Sequence, residues 1–329
     1  MPSPSLRRYL SWEAKDSTLA GFSLSLYSTF PYSASGSMRS LETSTEHLIS
    51  VAATTPKLYW LSADYAPMAG NPVKEKLWRG EPAFGVAVTT PSTDVAEILA
   101  SAGFDWMFID MEHAPLDVKD VQLILQAIDG SGVTPIVRVP WNDPVAIKRV
   151  LDLGAMGVIV PWVNSEEEAA RAVAACKYPP RGVRGCGPRR AARYGLETLE
   201  YLRRADDDVM VIVQIETAKA LRALSDILSV DGVDATFVGP MDLSASLGHL
   251  GNPDHPEVVE AIRRIAEAHR GTKVAPGIAS SPSKVAEHLR MGYRFINVDS
   301  DCGILTRGAA ASLRLAREAA SGLATERVP

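Results

Sequence analysis

The stretch WMFIDMEHAPLDVKDVQLILQAIDGSGVTPIVRVP, residues 106–140, alternates between two kinds of segment. An apolar run at 106–111 precedes an amphipathic run at 117–128, and a second apolar run follows at 134–140. Continuous apolar runs are typical of strands in a parallel sheet that helices cover on both faces. The stretch therefore predicts one strand–helix–strand unit of an α/β protein.

The same alternation continues along the chain from residue 71 onward. Strand-like runs lie at 84–90, 106–111, 134–140, 157–162, 209–216, 234–240, 273–279 and 294–299. Eight such runs, each followed by an amphipathic helical run, predict a (β/α)8 TIM barrel of the α/β class. A doubly wound open sheet is the alternative, but that fold favours a Gly-rich phosphate loop. The chain has no GxGxxG after its first run and no GxxxxGK[ST] anywhere.

The composition is that of a soluble globular protein, with 46% hydrophobic and 22% charged residues. A net charge of -5 gives no reason to expect a nucleic-acid surface. No apolar stretch reaches the length needed to cross a bilayer, so no membrane association is expected. The three cysteines, Cys176, Cys186 and Cys302, lack metal-ligand spacing. We interpret them as free thiols in a reducing compartment, which favours the cytoplasm.

Residues 1–70 differ from the remainder of the chain. They are rich in Ser, Thr, Tyr and Pro and show no sustained helical or strand period, which predicts a partly disordered extension. Arg7 and Arg8 in a Ser-rich start resemble an organellar transit segment, but Glu13 and Asp16 weaken that interpretation. The barrel and its chemistry are therefore expected within residues 71–329.

Six polar residues stand where apolar runs end, in FIDMEH, IVRVP, VIVQIET and FVGPMD. They are Asp110, His113, Arg138, Gln214, Glu216 and Asp242. Because strand ends of a barrel face one shared mouth, these side chains are expected to lie together. Glu216 and Asp242 follow neighbouring strands, and two carboxylates without Cys or His favour Mg²⁺ or Mn²⁺. The alternative is a pair of acids that cap helices or form salt bridges.

The remaining members of the set suggest a base and an anion clamp. His113 can act as a general base if an acid orients its ring, and both Asp110 and Asp152 are candidates for that acid. A structural histidine is the alternative. Arg138 can hold a carboxylate or an enolate oxygen, or it can pair with a neighbouring acid such as Asp110 or Glu112.

Two further features concern the substrate. Gln214 shares a strand face with Glu216 and is expected to contact substrate or to position that carboxylate. The backbone of Gly239, Pro240 and Met241 precedes a short helix and offers N–H groups to an anion, beside Asp242. No lysine ends a strand-like run, which disfavours a Schiff base and favours a metal-stabilised enolate.

The stretches that carry these residues resemble the HpcH/HpaI aldolases. They are FDWMFIDMEHAPLD, VRVPWNDPVAIKRVLDLGAMGVIVPWVNSEEEA, YPPRGVRGCGPRRAARYG, VQIET and VGPMDLSASLG. The resemblance covers about residues 71–315 and keeps the family's order and spacing. It implies a TIM barrel of the phosphoenolpyruvate/pyruvate type and a class II pyruvate aldolase. Members include 4-hydroxy-2-oxoheptanedioate and 2-dehydro-3-deoxyglucarate aldolases, and macrophomate synthase is related.

The resemblance also implies residue roles. Glu216 and Asp242 match the metal ligands, for Mg²⁺ or Mn²⁺ with Co²⁺ as a further candidate. His113 backed by Asp110 matches the base, and Arg138 matches the residue that steadies the pyruvate enolate. Gln214 lies beside the metal, and the backbone at Met241 matches the carboxylate site. Two positions depart from the family's commonest pattern: Met241 replaces a small residue and Trp162 replaces Met, so the acceptor side is expected to be narrower.

Together these observations predict a metal-dependent aldolase that cleaves a 4-hydroxy-2-oxo acid to pyruvate and an aldehyde. One alternative is a macrophomate-synthase-like decarboxylase that forms the same enolate from oxaloacetate and couples it to a larger acceptor. An alternative of another class is a barrel without catalysis that serves as a binding protein. By resemblance, a homo-oligomer is expected, specifically a hexamer with the last helix on a neighbouring copy.

Overall fold

The computed structural model describes residues 70–325 and shows eight parallel strands. The strands are β1 (Ala83–Val88), β2 (Trp106–Asp110), β3 (Thr134–Arg138), β4 (Gly157–Val160), β5 (Met210–Gln214), β6 (Ala235–Phe237), β7 (Gly277–Ala279) and β8 (Phe295–Ser300). Their order is β6-β5-β4-β3-β2-β1-β8-β7. Bridges from Ala235 to Ala275 and from Val238 to Ile278 join the two edge strands, so the sheet closes as a TIM-type barrel and confirms the predicted fold.

Helices surround the strands. They are α1 (Pro72–Trp78), α2 (Thr93–Ser101), α3 (Val118–Ala127), α4 (Pro144–Asp152), α5 (Glu166–Cys176), α6 (Thr198–Asp208), α7 (Ala218–Arg222), α8 (Leu224–Ser229), α9 (Pro240–Ser246), α10 (Pro256–Ala268), α11 (Val285–Met291) and α12 (Asp301–Thr325). A 3-10 turn, Arg190–Gly195, lies in the long connection between α5 and α6. None of the helices within residues 70–325 is long and apolar enough to cross a membrane.

The helix starts follow their local sequence. The Asn71 side chain accepts a hydrogen bond from the N–H of Lys74, and Pro72 occupies the first helical position of α1. At α3, Asp117 and Asp120 form a reciprocal capping box. These caps satisfy N–H groups that the first turn of a helix leaves unpaired. The residue types at Asn71 and Pro72 therefore account for the start of α1.

Aromatic rings fill the interior of the barrel. The indole of Trp106 stacks on Phe295 with ring centroids 3.9 Å apart, and both side chains are fully buried. Phe108 and Phe237 meet edge to face beside them, with centroids 6.0 Å apart. A side chain at Gly85 would overlap the Trp106 indole, so only glycine fits there. This layer closes the barrel beneath the carboxyl ends of the strands.

Several strands are shorter than the apolar runs predicted. β4 ends at Val160 and β5 at Gln214, so Trp162 and Glu216 each lie two residues beyond a strand. In β4 the reason is Pro161, which has no N–H to continue the ladder. The connections therefore begin earlier than the sequence predicted, and they contribute more of the residues at the mouth.

Two other predictions concern the ends of the chain and its thiols. The predicted extension, residues 1–70, lies outside the described residues except for Gly70. The cysteines are free thiols as expected, Cys176 in the core and Cys186 and Cys302 exposed.

Candidate active site at the carboxyl ends of the strands

The centre of the mouth is an ion pair between neighbouring strands. Asp110 and Arg138 occupy paired register positions at the ends of β2 and β3. The guanidinium donates to both carboxylate oxygens, at 2.8 Å from Nε and 2.6 Å from Nη2. Burial alone would raise the pKa of Asp110, but the hydrogen bonds and charge of Arg138 outweigh it and hold that pKa below its usual value. The guanidinium also lies 5.3 Å from the ring of Phe108, on the aromatic layer.

Gln214 links this ion pair to Glu216. Its side-chain oxygen accepts from Arg138 Nη1 at 3.3 Å, and its amide donates to Glu216 Oε2. The other carboxylate oxygen of Glu216 accepts from the backbone N–H of Trp162 at 2.8 Å. Burial, together with the charges of Glu112 and Asp242, raises the pKa of Glu216 to about 7. Gln214 therefore connects Arg138 to Glu216, and its predicted role toward substrate or metal stays a prediction.

Asp242 approaches Glu216 across Gly239. It lies in the first turn of α9, which begins directly after Gly239. A methyl group added at Gly239 would stand 3.1 Å from Glu216 Oε2 and 3.5 Å from Asp242 Oδ2. The two carboxylates thus border one small space that a larger residue would fill. The expected convergence of this pair is present.

Gly239, Pro240 and Met241 form the start of α9 beside that space. No side chain caps this helix start, and Met241 is exposed. The backbone N–H groups of its first turn point outward from the helix end, as at any helix N-terminus. Their predicted role toward a substrate carboxylate stays a prediction.

Glu112 is a site residue for which the sequence suggested no role beyond a partner for Arg138. Its Oε2 lies 3.3 Å from Arg138 Nη1, is buried and has no hydrogen-bond partner within the described residues. Burial, with the charges of Asp110 and Asp242, raises its pKa to about 7 even though Arg138 opposes the shift. Its position directly before His113, at a strand end with two other polar residues, was the available signal.

His113 reaches the mouth, but Asp110 does not hold its ring. The Asp110 carboxylate accepts from the backbone N–H of His113 at 3.3 Å, while its oxygens are otherwise occupied by Arg138. The ring Nε2 lies 3.8 Å from Glu112 Oε2, and 59% of the side chain is exposed. The structure therefore shows Glu112, rather than Asp110, as the acid beside the imidazole.

Asp152 does not join this group within one chain. It ends α4, a helix that begins near the mouth after β3 and runs back along the barrel toward the opposite end. There it forms an ion pair with the buried Arg184 at 2.9 Å. Burial raises the pKa of Asp152 despite that partner. The sequence could not show this pairing, because the two residues are far apart along the chain.

The mouth as a whole carries more negative than positive charge. Four carboxylates belong to it, and one guanidinium lies among them. They are Asp110, Glu112, Glu216 and Asp242, with Arg138 as the cation. Burial first, and the neighbouring carboxylates second, raise the pKa values of Glu112 and Glu216, and a divalent cation would offset both effects.

Comparison with known proteins identifies the family. The model of the HpcH/HpaI aldolase/citrate lyase family matches residues 84–307. The chain belongs to this family. The match includes the strands, their connections and every residue of the mouth described above, so the predicted resemblance is confirmed.

Relatives of this HpcH/HpaI protein agree with the fold and the reaction class. A 4-hydroxy-2-oxo-heptane-1,7-dioate aldolase from Klebsiella pneumoniae is 47% identical over 244 residues, which are 73% of this chain and 92% of the relative. The crystal structure of a family protein from Burkholderia cenocepacia J2315 has a TM-score of 0.72 at 40% identity, over 75% of this chain and 99% of that one. Macrophomate synthase has a TM-score of 0.68 at 27% identity, over 76% and 90%. The chain is an aldolase, a carbon–carbon lyase.

Proposed function

We propose that this aldolase depends on a divalent cation and cleaves a 4-hydroxy-2-oxo acid to pyruvate and an aldehyde. The observation that carries the proposal is the pair Glu216 and Asp242 bordering one space at Gly239, within a mouth of excess negative charge. The name of the Klebsiella relative, a 4-hydroxy-2-oxo-heptane-1,7-dioate aldolase, supports this substrate class.

The donor set fits a hard cation. Glu216 and Asp242 would hold it, and this pair offers only oxygen ligands, which favours Mg²⁺ or Mn²⁺ and also suits Co²⁺. Glu112 Oε2, buried without a hydrogen-bond partner, is a natural acceptor for water near such an ion. When bound, the cation would polarise the 2-oxo group of the substrate and stabilise negative charge on its oxygen.

The side chains of this enzyme would then divide the remaining work. In cleavage, the bond between C3 and C4 breaks and its electron pair stays on the pyruvate part as an enolate. The proton of the C4 hydroxyl passes to His113 as the aldehyde forms, and protonation at C3 completes pyruvate. Arg138, held by Asp110 and Gln214, presents a fixed positive charge to the enolate oxygen.

A Schiff-base route is disfavoured by the placement of lysines. Among residues 70–325, no lysine lies at the last position of any strand. Lys284, five residues after β7, is engaged by Asp254 in an ion pair. Oxaloacetate offers a second reaction, since its decarboxylation leads to the same enolate and requires no base at a hydroxyl. The chain keeps the acids, the candidate base His113 and the cation Arg138, which argues against a barrel that only binds ligands.

Chelation tests the proposal. The enzyme is freed of metal with EDTA and assayed for pyruvate release from 4-hydroxy-2-oxo-heptanedioate, then assayed again after Mg²⁺, Mn²⁺ or Co²⁺ is added. Loss of turnover and its return with metal are expected. Full activity in the chelated enzyme, or a pyruvate adduct trapped there by borohydride, would overturn it in favour of a lysine mechanism.

The assembly is proposed from the last helix. α12 has 25 residues and leaves β8 directly, and every residue from Ile304 to Ser321 is exposed. Its leucines Leu313 and Leu315 face solvent at 52% and 59% exposure. A helix of this length with exposed leucines is explained by a second copy that covers it, as in the hexamer that the family resemblance implies.

Light scattering measures the assembly directly. The wild-type chain is expected to be oligomeric, and Leu313→Glu on α12 should reduce its mass. Leu199→Glu, another exposed leucine on α6, is the matched control and should leave the mass unchanged. An active monomer of wild-type sequence would refute the proposal.

A further inference from the structure

Two tryptophans stand at the mouth on the connections after neighbouring strands. Trp141 follows β3 by three residues, and Trp162 follows β4 by two. Their ring centroids are 6.3 Å apart with planes inclined at 32°, and the residues are 56% and 46% exposed. Within the described chain, the interior rings are buried whereas these two indoles form a paired aromatic surface open to solvent.

The backbone holds Trp162 in an unusual conformation. Its φ is +56°, in the left-handed region that disfavours residues with a branched or bulky side chain. Its N–H donates to Glu216 Oε1 at 2.8 Å, and its carbonyl accepts from Asn164 Nδ2 at 2.7 Å. Because the backbone N–H of Trp162 contacts a proposed metal ligand, its Cα lies beside the proposed reacting centre. A conformation of this kind points to a functional requirement at that position.

The connections around the mouth carry few basic side chains, although Lys219 lies in the first turn of α7. Met241, exposed beside Asp242, adds a third apolar side chain at the rim. In the described segments that connect each strand to the helix after it, the only basic side chains are His113 and Lys284, and Lys284 is paired with Asp254. Arg138, at the end of β3, is occupied by Asp110 and Gln214.

We propose that Trp141 and Trp162 form the wall that receives the aldehyde, and that the preferred aldehyde is aromatic. The inference rests on the proposed function and names its acceptor. A flat ring gains stacking contacts with the indoles that an aliphatic chain cannot make. In the synthetic direction, C3 of the pyruvate enolate bonds to the carbonyl carbon of the aldehyde. The aldehyde oxygen then takes a proton from His113 and becomes the C4 hydroxyl.

The experiment compares two aldehydes as partners for pyruvate. Benzaldehyde represents the aromatic class and succinic semialdehyde the aliphatic class, each assayed for kcat/KM with added Mn²⁺. The wild-type enzyme is expected to prefer benzaldehyde. Trp162→Met and Trp141→Leu should each lower kcat/KM for benzaldehyde by about three- to tenfold relative to succinic semialdehyde, the loss typical of one aromatic contact. Trp162→Phe should keep the preference.

A control variant and a second reaction separate the possible failures. Trp78→Leu removes an indole that is also exposed, on α1, and should change neither aldehyde reaction. Oxaloacetate decarboxylation uses no aldehyde, so an enzyme active in it but preferring succinic semialdehyde would overturn this inference alone. Absence of both decarboxylation and aldol activity in metal-loaded wild type would instead overturn the proposed function.

The main competing occupant of the wall is a second copy of this chain. If Trp141 and Trp162 were an interface, Trp141→Leu would reduce the mass measured by light scattering and would lower both aldehyde reactions equally. That outcome would overturn the acceptor assignment. An unchanged mass with a selective loss for benzaldehyde would support it.

Discussion

The interior of the barrel and its mouth are built on opposite principles. In the interior, Trp106 and Phe295 stack in full burial, and the one polar atom of that pair, Trp106 Nε1, donates to the carbonyl of Ala83. In the mouth, a buried oxygen of Glu112 has no hydrogen-bond partner among residues 70–325, and Glu216 has a raised pKa. The interior is complete as folded, whereas the mouth would be stabilised by the proposed cation. Function is thus concentrated in the part of the molecule that is least satisfied alone.

The largest effect should come from removing a metal ligand. Glu216→Gln should lower pyruvate release by roughly 10³-fold or more, since the stabilisation of the enolate charge is lost. Calorimetric titration should show Mn²⁺ binding lost as well, while circular dichroism shows an intact barrel. Glu81→Gln, at an exposed ion pair with Arg79, is the control and should change neither. Tight Mn²⁺ binding by the Glu216→Gln variant would contradict the proposal that the mouth binds a cation through Glu216.

The interior should respond in stability instead of chemistry. Phe295→Ala should lower the free energy of unfolding by about 3–5 kcal/mol, because it leaves a cavity against the Trp106 ring. Denaturant unfolding followed by circular dichroism measures the loss, and Phe295→Leu should cost clearly less. Turnover per folded molecule should stay close to wild type. A Phe295→Ala protein of unchanged stability would show that the aromatic layer does not support the barrel.

Within the mouth, the roles of His113 and Arg138 can be separated by comparing two reactions. His113→Ala should reduce cleavage of the 4-hydroxy-2-oxo acid by roughly 10²-fold, because only that reaction takes a proton from a hydroxyl. Oxaloacetate decarboxylation should suffer much less. Arg138→Ala is the contrasting variant and should damage both reactions, since both form the enolate. Equal losses in the two reactions for His113→Ala would remove it from the role of base.

The smallest effect is a pH dependence of stability in the metal-free protein. Glu112 and Glu216 have pKa values of about 7 in the folded chain, above the ordinary glutamate value of 4.5. The folded state therefore binds more protons than the unfolded state, and stability should fall as pH rises from about 5 to 8. The change should be roughly 2 kcal/mol after coupling between the two groups is allowed for. Thermal unfolding in EDTA measures this change in stability. A stability that rises between about pH 5 and pH 8 would contradict the raised pKa values of Glu112 and Glu216.

Much of the fold and part of the site follow from elementary patterns in the sequence. Parallel strands carry their carboxyl ends to one rim, so Asp110 and Arg138 were expected to be close, and the register of β2 and β3 pairs them. Glu216 and Gln214 shared a face by the strand period, and their hydrogen bond agrees. Regular strand geometry makes such neighbours predictable from the order of the residues alone.

Other features depend on irregular segments. Glu112 and His113 follow β2 in a tight turn where the two-residue period no longer sets side-chain directions, so the partner of the imidazole could not be derived. Asp152 is another candidate for that role by sequence, but the fold pairs it with Arg184, which comes from a distant connection. The left-handed backbone of Trp162 has no local sequence signal, since the residue type itself disfavours it.

Gly239 shows how a protein of this fold could lose its activity and still fold. Its φ of -95° is accessible to any residue, so its backbone does not require glycine. An added methyl group would stand 3.1 Å from Glu216 Oε2 and 3.5 Å from Asp242 Oδ2, so it would press on the Glu216 carboxylate. In a duplicated gene, Gly239→Ala could therefore abolish catalysis while the barrel still folds. In such a lineage, a barrel that keeps its fold but loses its chemistry could differ from the enzyme by a single carbon atom.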